Sequence, residues 1–386
     1  MAALAGASLL APGQAWADCL VGGVTVTCDT TVTTDTLYPA SPPTDRGYSG
    51  PIATPIILNV DAGAAVSGNG LSLVNTAGGG LTVTNNGSIS VDAGNTPTVG
   101  GTAALSLSAA GGVITYTGGS ITNNGAGNGF DAVQTGGVGS ININIGNVSA
   151  ATGEGITVRD VAGSTGISVT TNDVTALTGG KDGIDAQSQS LTGNVTVVAN
   201  GNIQAGNAGI VAAIFPAAGT GNINVTANGA IDARFGVDAE NFGTGSTSVT
   251  TVGPVNVTTG NGIFALATGG NVTVNAGDVT AASNTAIIAR QTSAAGAGAI
   301  DVTAGNVSGT TGIEATNSGT GATTVTANGT VTGTFAEGIK AAGNGAVTVT
   351  VADTVTGATR GLSLIGGTGG TGNISVTGAG GFVGGT

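Results

Sequence analysis

Beyond residue 129 the chain is written in short bursts of alternating apolar and polar residues, and three such phrases recur in a fixed order. One reads G-I-x-A, as in Gly183-Ile184-Asp185-Ala186, Gly209-Ile210-Val211-Ala212 and Gly312-Ile313-Glu314-Ala315. A second alternates as V-T-V or I-S-V, as in Ile167-Ser168-Val169, Val195-Thr196-Val197 and Val347-Thr348-Val349. The third is shorter, N-V-x-A and its variants, as in Asn147-Val148-Ser149-Ala150 and Asn202-Ile203-Gln204-Ala205. Period-two alternation sets Ile, Val and Ala on one face of each burst and mostly Thr, Ser, Asn and Asp on the other, the pattern of a strand with one buried side. Helical periodicity is absent from these phrases. Successive G-I-x-A starts lie ~26 residues apart, or twice that where one rung lacks the glycine.

Turn residues fill the gaps. Asn200-Gly201, Asn228-Gly229 and Asn328-Gly329 join the second phrase to the third, and clusters such as Gly219-Thr220-Gly221 join the first to the second. Three short strands per rung of ~26 residues, each phrase aligned with its copy one rung away, predict an all-β chain folded as a parallel β-helix, a solenoid. Crossover preference makes it right-handed. Looser rungs upstream, such as Leu71-Ser72-Leu73 and Leu105-Ser106-Leu107, extend the array to a rod of roughly 60 Å at ~4.8 Å per rung.

The pattern changes towards the N-terminus. Residues 1–17 read as a signal-peptide remnant, with an apolar run through Leu9 and Leu10 and an Ala15-Trp16-Ala17 cleavage signal. Residues 18–55 read as an N-terminal cap or linker, since five of the nine prolines fall between Pro39 and Pro55. Cys19 and Cys28 bracket Val24-Thr25-Val26-Thr27 behind Gly22-Gly23, which suggests a hairpin closed by a disulfide in an oxidising compartment. Residues 56–386 are then the solenoid. An open first rung needs covering, and residues 18–55 are assigned that role.

Composition narrows the chemistry. Glycine supplies 74 of 386 residues, charged residues only 7%, and histidine none. The missing imidazole removes the commonest general base and metal ligand, so no metal and no cofactor is expected. A net charge of −13 argues against a nucleic-acid partner. Glycine motifs do not rescue a nucleotide site: Gly367-Thr368-Gly369-Gly370-Thr371-Gly372 precedes a strand rather than a helix, and Asp182 follows Gly179-Gly180-Lys181 where Ser or Thr is required.

The most enzyme-like feature is a column of acids on the outward face of the first phrase: Asp131, Asp185, Asp238 and Glu314. Arg159, Glu240 and Arg290 stand two places further along their own rungs, and Thr157, Val211, Phe264 and Ile288 interrupt the column. Asp131 to Asp185 and Asp185 to Asp238 each span two rungs, ~9.6 Å, near the upper limit for the paired carboxylates of an inverting glycosidase. The plainer expectation is a solvated outer face carrying solubilising charge, with the apolar members forming a contact patch.

A leader ending in Ala-Asp, a nearby cysteine pair and a long array of "TANG" and "GNV" rungs together resemble the passenger domains of bacterial autotransporters, the type V secretion family. The resemblance implies export to the periplasm and passage outside with an outer-membrane β-barrel translocator, in cis or encoded nearby. It also implies a secreted or cell-surface location on the bacterial outer membrane, and an adhesin or stalk that meets a host surface or a neighbouring cell. No barrel-like run of ~10-residue amphipathic strands is present, so the chain reads as a truncated passenger or a separate secreted partner. The expected function is therefore non-catalytic, an adhesin or structural stalk. The alternative is a carbohydrate-active enzyme of the pectin-lyase-like β-helix class, a polysaccharide hydrolase or lyase. Ice or mineral binding by outward threonines of the second phrase (Thr196, Thr273, Thr348) is set aside, because Ser168, Asn224 and Asp301 interrupt that ladder.

Overall fold

The computed structural model describes residues 18–22, 24–29, 46–50, 53–68, 70–93, 103–367 and 372–385. The leader 1–17 and much of the proline-rich stretch lie outside the described residues. Among those described there is no helix, and none therefore long and apolar enough to cross a membrane. The chain winds as a β-solenoid of about 12 turns, with about 26 residues per turn. Each predicted phrase builds its own sheet: G-I-x-A strands form one of 13 members, the short phrase another of 13, and the V-T-V phrase one of 15.

One turn illustrates the path. Asn194–Ala199 lies in the V-T-V sheet, Ile203–Ala205 in the short-strand sheet and Ala208–Ile214 in the G-I-x-A sheet, after which Ile223–Ala227 returns beside its starting point. Pairing is parallel and unslipped, with Ile167, Val195 and Ile223 aligned across three turns. That register follows from burial, because a slip by one residue would turn Val195 and Val197 outward and Thr196 inward.

The interior is a stack of aliphatic columns. Ile156, Ile184, Ile210, Val237 and Ile263 are each at most 1% exposed, and the alanines two residues on (Ala186, Ala212, Ala239, Ala265) keep the tube narrow. Nearer the N-terminus the same space holds Tyr116 and Phe130, edge to face with ring centroids 5.3 Å apart. The Tyr116 hydroxyl donates to Gly119 O (3.1 Å) and accepts from Asn85 Nδ2 (2.9 Å), and burial pushes the phenol up to about 12.

Corners between the G-I-x-A and V-T-V sheets are wired from inside. Buried Asn241 donates through Nδ2 to Gly221 O (2.9 Å) and accepts from Gly243 N through Oδ1 (3.0 Å). Asn317 does the same with Gly298 O and Gly319 N, both at 2.9 Å. A buried amide can serve as donor and acceptor at once, which leaves the loop backbone satisfied without water.

Glycine plays a different part from the one its turns suggest. Left-handed backbone occurs at glycines up to Gly180 and again at Gly378, but at none of the described glycines between. There the requirement is space. A Cβ on Gly201, in the Asn200-Gly201 turn, would collide with Oδ1 and N of Asp173 on the preceding turn, and one on Gly229 with the carbonyl of Gly201. Stacked turns approach one another too closely for any side chain.

The N-terminal residues join this framework directly. Asp18–Gly22 and Thr25–Asp29 pair as an antiparallel hairpin that sets Cys19 opposite Cys28, and Cys28 is disulfide-bonded. The second hairpin strand then pairs parallel with the first solenoid strand, Ile56–Val60, and its Val26 and Cys28 are fully buried. Arg46–Gly50, within the stretch read as cap or linker, is a strand of the G-I-x-A sheet beside Leu71–Asn75.

Candidate functional site

The G-I-x-A strands hold the acidic column in the expected register. Asp131 aligns with Thr157, which aligns with Asp185, and the series continues through Val211, Asp238, Phe264, Ile288 and Glu314 to Lys340. Asp185 thus stands two turns, ~9.6 Å by strand spacing, from both Asp131 and Asp238. Arg159 and Glu240 lie in a second outward column two residues on.

The expectation of a freely solvated face needs correction here. Asp131 is 5% and Asp185 4% exposed although both point away from the core. Neighbouring side chains cover them. Asn128 Nδ2 donates to Asp131 Oδ1 (2.8 Å) and Arg159 Nη2 to Asp185 Oδ2 (2.7 Å). The seven-residue bend 177–183, between Val174–Ala176 and Ile184–Ser188, brings further charge beside the column. Its Lys181 pairs with Glu154 at 3.6 Å, and its Asp182 accepts from Asn207 Nδ2 at 2.7 Å and Ala208 N at 2.9 Å.

Sequence reasoning missed Glu154 and Asp182 as parts of this cluster. The available signal was an acid immediately before the phrase-one glycine, at Glu154-Gly155, Asp182-Gly183 and Glu337-Gly338. Glu314, in contrast, belongs to a separate group: Phe264 and Ile288 divide it from Asp238, and Arg290 (3.1 Å) and Lys340 (3.5 Å) hold it from two adjacent turns. Among the described residues no group of three His, Cys, Asp or Glu side chains converges as a metal centre would.

Burial dominates the electrostatics. It raises Asp185 above the ordinary carboxylate range, with Arg159 opposing, and it raises Glu154 and Glu240 as well. Asp238 is pushed up to about 7, first by burial and then by the charges of Glu240 and Asp182. Its Oδ1 and that of Asp185 are buried with no hydrogen-bond partner. The cluster therefore contains one carboxyl that keeps its proton near neutrality and one, Asp185, held by an arginine. Such an acid can donate a proton, and an Arg-held carboxylate can accept one.

A stability prediction follows from Asp238. The folded chain holds this proton to about pH 7, whereas the unfolded chain releases it near pH 4. The stabilising contribution is thus complete below pH 4 and is lost as pH rises through 7. At about 1.4 kcal/mol per pH unit, reduced by solvent screening of a carboxyl that is not fully buried, ionised Asp238 costs about 2 kcal/mol at pH 8. Asp238→Asn should then raise the denaturant midpoint at pH 8 and leave it little changed at pH 4. Equal effects at both pH values would contradict the assignment.

The V-T-V sheet presents a different surface. Its first outward column is the mixed ladder seen in the sequence, but a second, two residues on, is richer in threonine. Thr303, Thr326, Thr350 and Thr377 occupy successive turns, as do Thr226 and Thr250. Hydroxyls of Thr350 and Thr377 lie 3.1 Å apart. Among the described residues Asp301 is the single charge in the two columns.

No protein family, curated protein or solved structure with which the chain was compared matches it.

Proposed function

We propose that the protein is a non-catalytic surface β-helix, an adhesin or stalk carried across the outer membrane with a β-barrel translocator. The observation that supports this reading is the V-T-V face: two long, in-register, hydroxyl-rich columns that among the described residues carry one charge, on a chain whose net charge is −13. A flat face that rejects little by charge and offers many donors and acceptors suits contact with another surface. The rigid stack beneath keeps those groups in place at no further ordering cost. Beads coated with the purified chain should adhere to cells or to abiotic surfaces. Thr226→Lys, Thr250→Lys and Thr326→Lys together should reduce that adhesion at least tenfold without lowering the melting temperature. Undiminished adhesion by the triple variant would remove this face from the function.

One observation favours a second reading, that of a polysaccharide hydrolase. Asp238 is a near-neutral acid two turns from Arg-held Asp185, and a separation of ~9.6 Å approaches that of inverting carboxylate pairs. Under the first reading a panel of polygalacturonate and plant glycans is left intact. Turnover that disappears in both Asp185→Asn and Asp238→Asn would replace the first reading with the second.

A further inference from the structure

The bends between the short-strand sheet and the G-I-x-A sheet differ in length from turn to turn, and one mismatch opens a cavity. Ile231–Ala233 passes into Phe235–Asn241 through Arg234 alone, whereas the next turn takes five residues, 258–262, between Val255–Val257 and Ile263–Ala267. The longer bend overhangs the shorter, tied to it by Gly260 N donating to Arg234 O at 2.7 Å. Beside this step lies an open cavity of about 340 Å³, lined by exposed Asp232, Arg234, Asn256 and Thr280 over the largely buried Ala233 and Val257.

Three features of the cavity select a ligand chemistry. Asp232, Asn256 and Thr280 are aligned on successive turns, so acceptor, amide and hydroxyl repeat at ~4.8 Å, about the distance between alternate equatorial hydroxyls of a pyranose ring. Asn256 Nδ2 donates to Asp232 Oδ1 at 3.0 Å, an arrangement that holds both side chains and leaves the second carboxylate oxygen and the amide oxygen to accept hydroxyl protons. Arg234 is steadied by its Nε donating to Thr259 Oγ1 at 3.3 Å. Arg159, Lys181, Arg290 and Lys340 each hold a carboxylate, but no ion pair among the described residues occupies Arg234. Its two terminal nitrogens present the planar fork that can donate to a pair of neighbouring oxygens.

Binding cavities commonly pair a few placed polar groups with apolar lining, which here comes from the aliphatic stem of Arg234 and the methyl groups of Thr258 and Thr280. Charge decides which sugar. Asp232 and Arg234 stand side by side and balance one another, so a neutral ring is the class that enters without bringing an uncompensated charge.

We infer that this cavity binds a neutral pyranose unit of a surface glycan, with Arg234 and Asp232 as its principal contacts. The inference goes beyond the adhesion reading above, whose contact surface is the V-T-V face, and assigns a separate ligand site at the corner between the other two sheets.

Saturation-transfer NMR and titration calorimetry on the full chain, with the methyl pyranosides of glucose, galactose and mannose and with methyl glucuronate, test the assignment. At least one neutral glycoside should bind more tightly than the glucuronate. Arg234→Met and Asp232→Ala should each weaken that binding at least tenfold while leaving the melting temperature unchanged, since both side chains are exposed. Failure of all three neutral glycosides, preference for the glucuronate, or binding that survives both substitutions would overturn it. Adhesion of coated beads, measured in parallel, separates the two claims. A chain that adheres but ignores sugars refutes only the cavity, and one that binds sugars but does not adhere refutes only the adhesion reading.

Discussion

Replacing Ile210 by aspartate is expected to cost more than 4 kcal/mol and to divide the unfolding of the chain into two transitions. Ile210 is fully buried between Ile184 and Val237 in the inward column of the G-I-x-A sheet. A carboxylate there has no partner, and burying an unpaired charge is among the few single changes that cost so much. The second part of the expectation comes from the architecture. Each turn packs on its two neighbours, so stability is close to a sum of turn and interface contributions, and a lesion at one interface uncouples what lies on either side. Hydrogen exchange along a denaturant series should show the turns before 200 and those after 220 opening at different concentrations. The control Ile210→Val removes one methylene and should cost about 1 kcal/mol in a single transition. A single unshifted transition for the aspartate variant would contradict the burial of this column.

A second large effect is expected at Gly236, where valine should destabilise the rod by about 3 kcal/mol through overpacking. The position belongs to the column, mostly glycine, that precedes the inward aliphatic residue of the G-I-x-A strands. A Cβ there would strike the carbonyl oxygen of Gly262 on the next turn and sit 2.6 Å from Val255 Cγ1. Ala286 occupies the same column one turn beyond Gly262, so the backbone can yield to a single methyl. Two further γ carbons cannot be placed without parting the turns. Gly236→Ala should therefore fall well below the valine variant, and the two denaturant midpoints give the comparison. Equal costs would show that conformation rather than space sets the requirement.

The three-sheet solenoid was readable because each phrase carries its own alternation and its own turn residues. Gly183-Ile184-Asp185-Ala186 states which side chains face inward and where the strand begins, and repetition then sets the pairing. The column of Asp131, Asp185 and Asp238 was readable for the same reason. Its burial was not, because alternation tells inward from outward but carries nothing about what stands beside an outward residue. Coverage of Asp185 depends on Arg159 one turn before and on a seven-residue bend whose path no periodicity encodes. The second threonine column, Thr226 to Thr377, was present in the spacing, but each V-T-V phrase is defined by its first outward residue and the second lies beyond it. Asn241 and Asn317 were concealed differently, as polar residues in what alternation marks as core positions, and only their loop carbonyl partners explain them. Glycine was assigned to turning corners because Asn-Gly is a turn signal; at Gly201 and Gly229 it instead permits contact between stacked backbones, a property of the stack and not of any one turn.

The regular stacking has a mechanical corollary. All strands run across the long axis, so a load applied along that axis pulls directly on the hydrogen bonds between one turn and the next. Those bonds then break a turn at a time, as in unzipping, rather than together. Each turn of about 26 residues adds ~4.8 Å to the folded length but yields roughly 85 Å when drawn out. Release of a single terminal turn under tension would thus more than double the reach of a rod of roughly 60 Å, so the folded chain would lengthen in steps before it parted.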